Sequence, residues 1–205
     1  MKDIFSTLGE VSEGIYKEKG SKFIGRAIPV EDEASIKEKL EEIRKAHHGA
    51  RHHCFAYILG PEQQDFRIND DGEPSGTAGR PIFNQIVSKG LTDVLVVVSR
   101  YFGGTKLGAS GLVNAYKTAA REALGNGKIL RRSIQEVYEL TYDYPETNEV
   151  MKILDDFQVR IIEQEFLADC RAIIGLRKKL ARDFEKTIEK NKKLKIKHIK
   201  SEKHP

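Results

Sequence analysis

The chain lacks several features that would place it in a specialised class of protein. Its 205 residues include no tryptophan, two cysteines, two methionines and six prolines. Two isolated cysteines, Cys54 and Cys170, cannot form the disulfide framework of a small secreted domain, so we expect buried thiols in a cytoplasmic protein. No apolar run approaches the roughly 20 residues that span a bilayer, and the N-terminus has no signal-peptide core, which predicts no membrane partner.

What remains is the composition of a folded globular chain, with 39% apolar residues. The length favours two small domains, which we predict at residues 1–127 and 133–205. The net charge of +4 is unevenly distributed, because residues 186–205 contain eight lysines and two glutamates. That segment is either a solvated helix and strand or a surface that attracts phosphate groups.

Hydrophobic periodicity predicts an α+β fold for the first domain. We expect, in chain order, a hairpin over 14–30, a helix over 33–46, paired strands at 54–59 and 66–68, a helix over 81–89, a strand at 94–98, and a helix that ends at Gly125. The strand VLVVV at 94–98 is the most apolar and should be central and buried on both faces. A linker is expected at 125–132.

The second domain alternates between strand and helix patterns. We expect strands at 135–143, 159–165, 168–175 and 193–199, and helices at 146–157 and 176–190. This βαββαβ order is the ferredoxin-like pattern, in which two helices cover one face of an antiparallel sheet.

The loop DDGEPSGTAGRP, residues 70–81, is richer in functional groups than a connection requires. Its candidate ligand-binding residues are Asp70, Asp71, Glu73, Ser75, Thr77 and Arg80. Carboxylates this close repel one another unless a cation lies among them. They therefore form a solvated acidic turn, pair with Arg80 or Arg100, or hold a hard ion such as magnesium.

A second glycine-rich loop, RYFGGTKLGASG, follows the apolar strand. Its candidate binding residues are Arg100, Tyr101, Gly103, Gly104, Lys106 and Ser110. We expect Arg100 and Tyr101 just after the strand, at the edge where α/β sheets often bind ligands, and Ser110 as the cap of the next helix. The start of that helix offers N–H groups to an anion, although the spacing is not that of a P-loop and the glycines could serve packing alone.

Four histidines and Cys54 lie between residues 47 and 54. Adjacent histidines on a strand point to opposite faces, and no second Cys or His pair has zinc-finger spacing, so we predict no metal site and no cofactor. One imidazole, His53 or His52, is expected to point into a cleft. Cys54 is more simply a core thiol than half of a Cys–His pair.

Three segments together carry a family resemblance: ARHHCFAY at 50–57, DDGEPSGTAGRPI at 70–82 and VVSRYFGGTKLGASGLVNAY at 97–116. In sequence, order and spacing they resemble the YigZ/Impact family, and the chain is similar to its two-domain bacterial members. The resemblance covers most of residues 15–125 and extends more weakly to the remainder.

The resemblance implies a first domain with the βαβ-rich fold of part of a small-subunit ribosomal protein and of the galactokinase and mevalonate kinase superfamily. It implies a second domain like the ferredoxin-like final domain of elongation factor G. Eukaryotic relatives of the first domain are translational regulators that act through an additional N-terminal domain, which we expect this chain to lack. Only a broad link to translation then carries over.

Three functions remain open at the level of sequence. The first is a non-catalytic protein that binds RNA or the ribosome, in which Arg80, Arg100, Lys106 and the lysine-rich C-terminal region contact phosphates. The second is an enzyme or binding protein for a nucleotide or phosphorylated metabolite, held between the two glycine-rich loops. The third is a module that binds a regulatory protein. Whether any catalysis occurs is undecided, and RNA or the ribosome is the favoured partner.

Overall fold

The computed structural model describes residues 3–167 and 169–204. Residues 1, 2, 168 and 205, which fall within the predicted domains and the predicted strand at 168–175, lie outside the described residues. The chain divides into two compact units. The first unit comprises residues 5–131, and the second comprises the described residues of 1–4 and 132–205.

Among the described residues, the first unit contains the five strands of one sheet, three helices and residues 5–8 of the strand β1. In chain order they are β1 (Ile4–Leu8), β2 (Ser12–Glu18), β3 (Ser21–Pro29), α1 (Glu33–Ala46), β4 (His52–Leu59), β5 (Asp65–Asn69), α2 (Gly79–Ser88), β6 (Val94–Tyr101) and α3 (Gly108–Gly125). Strands β2 to β6 form one sheet in the order β2-β3-β6-β4-β5, and neighbouring strands in it are antiparallel.

Strand β6 is central in this sheet and buried on both faces, as its apolar sequence predicts. Val94, Val96 and Val98 pack into the core that contains residues of α2 and α3. Leu95 and Val97 pack into a second core with residues of α1. The alternation follows from the two-residue period of a strand, which sends successive side chains to opposite faces.

The pairing of β4 with β6 decides which histidine shares a face with Arg100. His52 is opposite Arg100, and His53 is opposite Ser99. Arg100 is two residues beyond Val98 and therefore lies on the face covered by α2 and α3, and its cross-strand partner His52 lies there too. His53 and Ser99 lie on the face covered by α1.

Several expectations for the first unit need correction. Arg100 and Tyr101 belong to β6 instead of following it, and because the sheet is antiparallel the comparison with parallel α/β sheets is wrong. Helix α2 begins at Gly79, two residues before the proline expected to open it. The next strand begins at Ile129, so the connection after α3 is shorter than the predicted linker. Strand β1 was not predicted, because five residues give little periodicity.

The second unit has the predicted βαββαβ order. Its elements are β7 (Ile129–Asp143), α4 (Thr147–Asp156) after a 3₁₀ turn, β8 (Arg160–Glu165), β9 (Asp169–Arg177), α5 (Lys178–Glu189) and β10 (Lys195–His204). Strand β7 lies between β9 and β10, and β8 pairs with the other side of β9, all antiparallel. Residues of α4 and α5 such as Leu154 and Phe184 share one core with β7 and β9. The α+β prediction is confirmed by two antiparallel sheets.

Two further predictions from the sequence can be compared directly with the structure. Cys54 and Cys170 are free and buried, as expected for core thiols. No helix in the described part of the chain is long and apolar enough to cross a membrane.

Candidate functional site

A cavity of about 420 Å³ lies in the first unit, on the sheet face covered by α2 and α3. Its lining residues are Arg51, His52, Glu73, Pro74, Arg100, Phe102, Lys106, Leu107, Gly108, Ala109 and Leu112. They come from the start of β4, the acidic loop, the end of β6 and the start of α3. The volume is within the range of roughly 300–1,000 Å³ typical of small-molecule sites.

A buried ion pair forms part of the wall of this cavity. Arg100 Nη1 lies 2.6 Å from Glu73 Oε1, and the two side chains are 8% and 4% exposed. The hydroxyl of Tyr116, on α3, donates to the same carboxylate oxygen over 2.7 Å. Two donors on one oxygen hold Glu73 in place, so its single charge is balanced inside the protein.

The Arg100 guanidinium is packed between aromatic rings. Its central carbon lies 5.5 Å from the centroid of Phe23 and 5.6 Å from that of Phe102. The guanidinium carbon of Arg51 lies 5.7 Å from the centroid of Phe102, so the Phe102 ring contacts both Arg51 and Arg100. Within the described residues Arg100 Nε is buried and has no hydrogen-bond partner. A buried donor without a partner is costly.

Helix α3 begins at the cavity without a side-chain cap. Its N-cap residue is Leu107, and no side-chain hydrogen bond caps the helix. Ser110 lies inside the helix, so the prediction that it would be the cap is wrong. The N–H groups of the first turn therefore stay available to an anion. Lys106 lines the cavity directly before the helix and has no ion-pair partner among the described residues.

His52 contributes a hydrogen-bond acceptor to the cavity. Its Nδ1 lies 2.8 Å from the carbonyl oxygen of Asp71. Because a carbonyl only accepts, Nδ1 carries the hydrogen, and Nε2 of the neutral ring keeps its lone pair. Nε2 lies 4.0 Å from Glu73 Oε1 and has no hydrogen-bond partner among the described residues.

Asp70, the first carboxylate of the acidic loop, caps a helix that begins nine residues later in the chain. Asp70 Oδ1 accepts from the N–H groups of Ala78 and Gly79 at the start of α2, and Oδ2 accepts from that of Gly76. Burial opposes the charge of Asp70, but these three hydrogen bonds outweigh it and lower its pKa below the ordinary value. Asp70 therefore stabilises the acidic loop and the start of α2.

The other predicted residues of this loop lie apart from the cavity. Asp71 accepts from the backbone N–H of His53 over 2.7 Å and lies 3.7 Å from Arg44. Thr77 donates to the carbonyl oxygen of Pro74. Ser75 is exposed. Arg80 is also exposed, and it contacts the ring of Phe83 on α2.

The predicted residues near the second glycine loop likewise have two kinds of role: some pack or form hydrogen bonds within the protein, and others line the cavity. His53 is buried and its Nδ1 lies 2.9 Å from Ser99 Oγ. The Tyr101 hydroxyl lies 3.0 Å from His47 Nδ1. Gly103 packs against the β2–β3 turn at Gly20, and its N–H donates to the Ser21 hydroxyl. Gly104 adopts a left-handed conformation in open space.

The structure thus brings Glu73, Arg100 and Lys106 to one cavity and leaves the other candidate residues outside its lining. Sequence reasoning did not assign Arg51, Phe102 or Tyr116 to the site, and it left His52 as an alternative to His53. Tracing the antiparallel register of β4 against β6 would have indicated His52, because it is opposite Arg100, whereas Arg51 precedes β4 and has no such signal. Nothing in the sequence marks the hydroxyl of Tyr116, which appears as one member of an apolar helix stripe.

Among the described residues, no group of three or more His, Cys, Asp or Glu side chains is placed to hold a metal ion. The cavity instead combines three cationic side chains, an uncapped helix start, one internally balanced carboxylate and an exposed aromatic ring. Such an arrangement can bind an anionic ligand that also carries a flat apolar group.

Comparison with known proteins decides the family. Residues 19–124 match the Impact N-terminal domain. The chain belongs to the Impact family. This match spans strands β3 to β6 of the sheet, helices α1 to α3 except the last residue of α3, and the cavity.

Curated Impact family members align over a longer segment. The chain is 34% identical over 152 residues to the Impact family member YigZ of Escherichia coli, covering 73% of this chain and 74% of that protein. It is 37% identical over 140 residues to the family member YvyE of Bacillus subtilis, covering 68% of this chain and 64% of that protein. The alignment thus spans slightly less than two thirds of YvyE.

A solved structure shares the fold along almost the whole chain. It is described as the crystal structure of a hypothetical protein, with a TM-score of 0.70 and 27% sequence identity, and the match covers 98% of this chain and 99% of that one. The two-unit Impact architecture described above therefore recurs in an experimentally determined protein.

Proposed function

We propose that this Impact family member binds single-stranded RNA through the cavity of its first unit, without catalysing a reaction on it. The observation that carries the proposal is the convergence of Arg51 and Lys106 on the uncapped start of α3, beside Arg100, whose own charge Glu73 balances. Cationic side chains and free backbone N–H groups are the donors that contact phosphodiester oxygens.

The aromatic ring at the cavity favours a single strand. Phe102 is 41% exposed although it contacts both Arg51 and Arg100. Unpaired bases stack on exposed aromatic rings, whereas paired bases in a duplex do not present their faces. A ligand with a phosphate at the helix start and a base on Phe102 uses both features.

The second unit contributes less to this proposal than its composition indicates. Two of its C-terminal lysines are in ion pairs: Lys193 with Glu146 at 2.6 Å, and Lys200 with Glu202 at 2.9 Å. Charge engaged in this way is less available to phosphates. We therefore assign the principal phosphate contacts to the first unit.

The salt dependence of binding tests the proposal. Anisotropy of a labelled single-stranded RNA would be measured at several KCl concentrations for the unaltered protein and for an Arg51→Ala, Lys106→Ala double variant. Loss of two phosphate contacts is expected to lower affinity at least tenfold and to reduce the slope of log K against log salt by about 1.4, at roughly 0.7 per contact.

A matched double variant controls for net charge. Arg121→Ala with Lys117→Ala removes two exposed cations of α3 outside the cavity and should leave binding within about twofold. Absence of RNA binding at low salt, or an equal effect of both double variants, would refute the proposal. Co-sedimentation with ribosomes then tests the link to translation that the family resemblance implies.

The volume of the cavity also favours a second candidate, binding of a free nucleotide or phosphorylated metabolite. Thermal-shift measurements with ribonucleoside monophosphates and triphosphates, with and without magnesium, test it directly. A ligand at one hundred times its Kd is expected to stabilise the folded protein by about 2.7 kcal/mol. Stabilisation by nucleotides without measurable RNA binding would favour this candidate over the first.

A further inference from the structure

We infer that His52 recognises the ribose 2′-hydroxyl next to the bound phosphate, so that the site selects RNA over DNA. The inference rests on the proposed function, since it names the ligand group that the same cavity distinguishes. It starts from the two kinds of hydrogen-bonding group that line the cavity and from where each of them is placed.

Most polar groups of the cavity are donors. Arg51, Arg100 and Lys106 donate only, and so do the backbone N–H groups at the start of α3. These groups can satisfy the oxygens of a phosphate. They offer nothing to a ligand hydroxyl that must donate its own hydrogen.

His52 Nε2 is an acceptor among these groups, as is the carboxylate of Glu73, whose Oε1 already accepts from Arg100 and Tyr116. The hydrogen bond from Nδ1–H to the carbonyl oxygen of Asp71 leaves Nε2 as an acceptor. No described residue donates to it. A nitrogen in that state accepts a hydrogen bond from an incoming hydroxyl and repels a phosphate oxygen, because both carry lone pairs.

Glu73 reinforces the difference between the acceptor at His52 and the donors at Lys106 and the start of α3. Its Oε1 lies 4.0 Å from His52 Nε2 and already accepts from Arg100 and Tyr116. The negative charge disfavours a phosphate near His52 and favours one near Lys106 and the helix start. A complementary ligand therefore carries an anion and a hydroxyl donor close together.

Ribose in an RNA strand has this combination. Its 2′-hydroxyl is adjacent to the carbon that bears the 3′-phosphate, and the hydroxyl is what distinguishes RNA from DNA at a given site. Deoxyribose lacks the donor, so the partly exposed Nε2 of His52 would lose this one hydrogen bond.

The test compares single-stranded oligonucleotides of one sequence as RNA, 2′-fluoro RNA and DNA, using the unaltered full chain. The 2′-fluoro strand keeps RNA-like geometry but has no hydroxyl donor. We expect it and DNA to bind about three- to tenfold more weakly than RNA, the ratio for one hydrogen bond. A ribonucleoside 3′-monophosphate and its 2′-deoxy analogue, as competitors, distinguish a free nucleotide from a strand as the source of the same chemistry.

Variants locate the effect. His52→Leu should bind all three strands alike, at the level at which the unaltered protein binds 2′-fluoro RNA, and His52→Gln should recover part of the preference because its amide oxygen accepts. His48→Leu changes an exposed histidine outside the cavity and should keep the full preference.

Each outcome separates the two proposals. Equal binding of RNA and 2′-fluoro RNA by the unaltered protein, with the Arg51 and Lys106 dependence intact, overturns the role of His52 and leaves RNA binding standing. A His52→Leu variant that loses affinity equally for RNA and 2′-fluoro RNA also overturns that role. No binding of any strand overturns both proposals.

Discussion

Arg100 and Glu73 form an ion pair that is almost wholly buried, 2.6 Å apart, in the wall of the proposed binding cavity. Bringing two charges out of water is costly, and their attraction compensates only while both are present. The pair therefore couples the stability of the first unit to the integrity of the site. Removal of either partner leaves the other charge buried without its partner.

We expect Arg100→Met to lower the free energy of unfolding by about 3–5 kcal/mol, because Glu73 then lacks its counter-charge. Chemical denaturation with urea measures this. The matched control is Arg44→Met, which breaks the 3.7 Å contact with Asp71 on a half-exposed side chain and should cost below about 1 kcal/mol. Similar costs for the two variants would contradict the proposed importance of burial.

Asp70→Ala should destabilise the protein by about 1–2 kcal/mol at neutral pH, the cost of losing a helix cap. Because its pKa is lowered from 3.8, the unfolded state binds the proton more readily. The stabilisation is then complete well above pH 3.8 and is lost as the pH falls through the folded-state pKa. Denaturation at several pH values should show the variant and the unaltered protein converging in acid. Ser75→Ala, at an exposed position of the same loop, should change stability by less than about 0.5 kcal/mol.

Gly103→Ala is expected to destabilise the protein strongly, because the added Cβ would overlap the backbone of Gly20 and Ser21. Because these atoms are backbone, no flexible side chain can move aside, so the loop that carries Phe102 must shift. Thermal unfolding measures the effect. Gly125→Ala is the control, since nothing lies within 4 Å of its Cβ. An unchanged melting temperature in Gly103→Ala would show that the loop accommodates the methyl group.

Burial lowers the pKa of His53 below its ordinary value of 6.5. The unfolded chain therefore takes up a proton that the folded chain resists, so stability should decrease as the pH falls below about 6.5. His53→Gln should reduce this pH dependence in a denaturation series from pH 8 to pH 5. Ser99→Ala removes the partner of the imidazole but keeps it buried, so the dependence should persist. A pH dependence that disappears in Ser99→Ala would make the hydrogen bond, not burial, its cause.

The sequence predicted elements better than it predicted contacts between them. Helix α1 was predicted at its observed bounds because Asp32 caps it and its apolar residues recur at helical spacing. Strand β6 was predicted as central because five consecutive apolar residues need burial on both faces. The site depended on the register of β4 against β6, which is a long-range property, and so strand parity alone could not choose between His52 and His53.

The acidic loop shows a second limit of prediction from the sequence. Its composition indicated binding, yet Asp70 and Asp71 accept hydrogen bonds from the protein's own backbone and only Glu73 reaches the cavity. Carboxylates that bind a ligand and carboxylates that organise a loop have the same residue types. Only the position of their partners distinguishes the two roles, and those partners lie in α2, β4 and β6.

Asp71 has a left-handed conformation, with φ of 43°, and its carbonyl oxygen accepts a hydrogen bond from Nδ1–H of His52. The tautomer of that imidazole is thus selected by the main chain. Side-chain substitutions at position 71 would remove the hydrogen bond that the Asp71 carboxylate accepts from the backbone N–H of His53 in β4. They would leave in place the carbonyl oxygen that orients His52, so they would not detect its effect. Chemical replacement of the amide that follows residue 71 by an ester, which weakens the carbonyl as an acceptor, reaches what ordinary mutagenesis cannot.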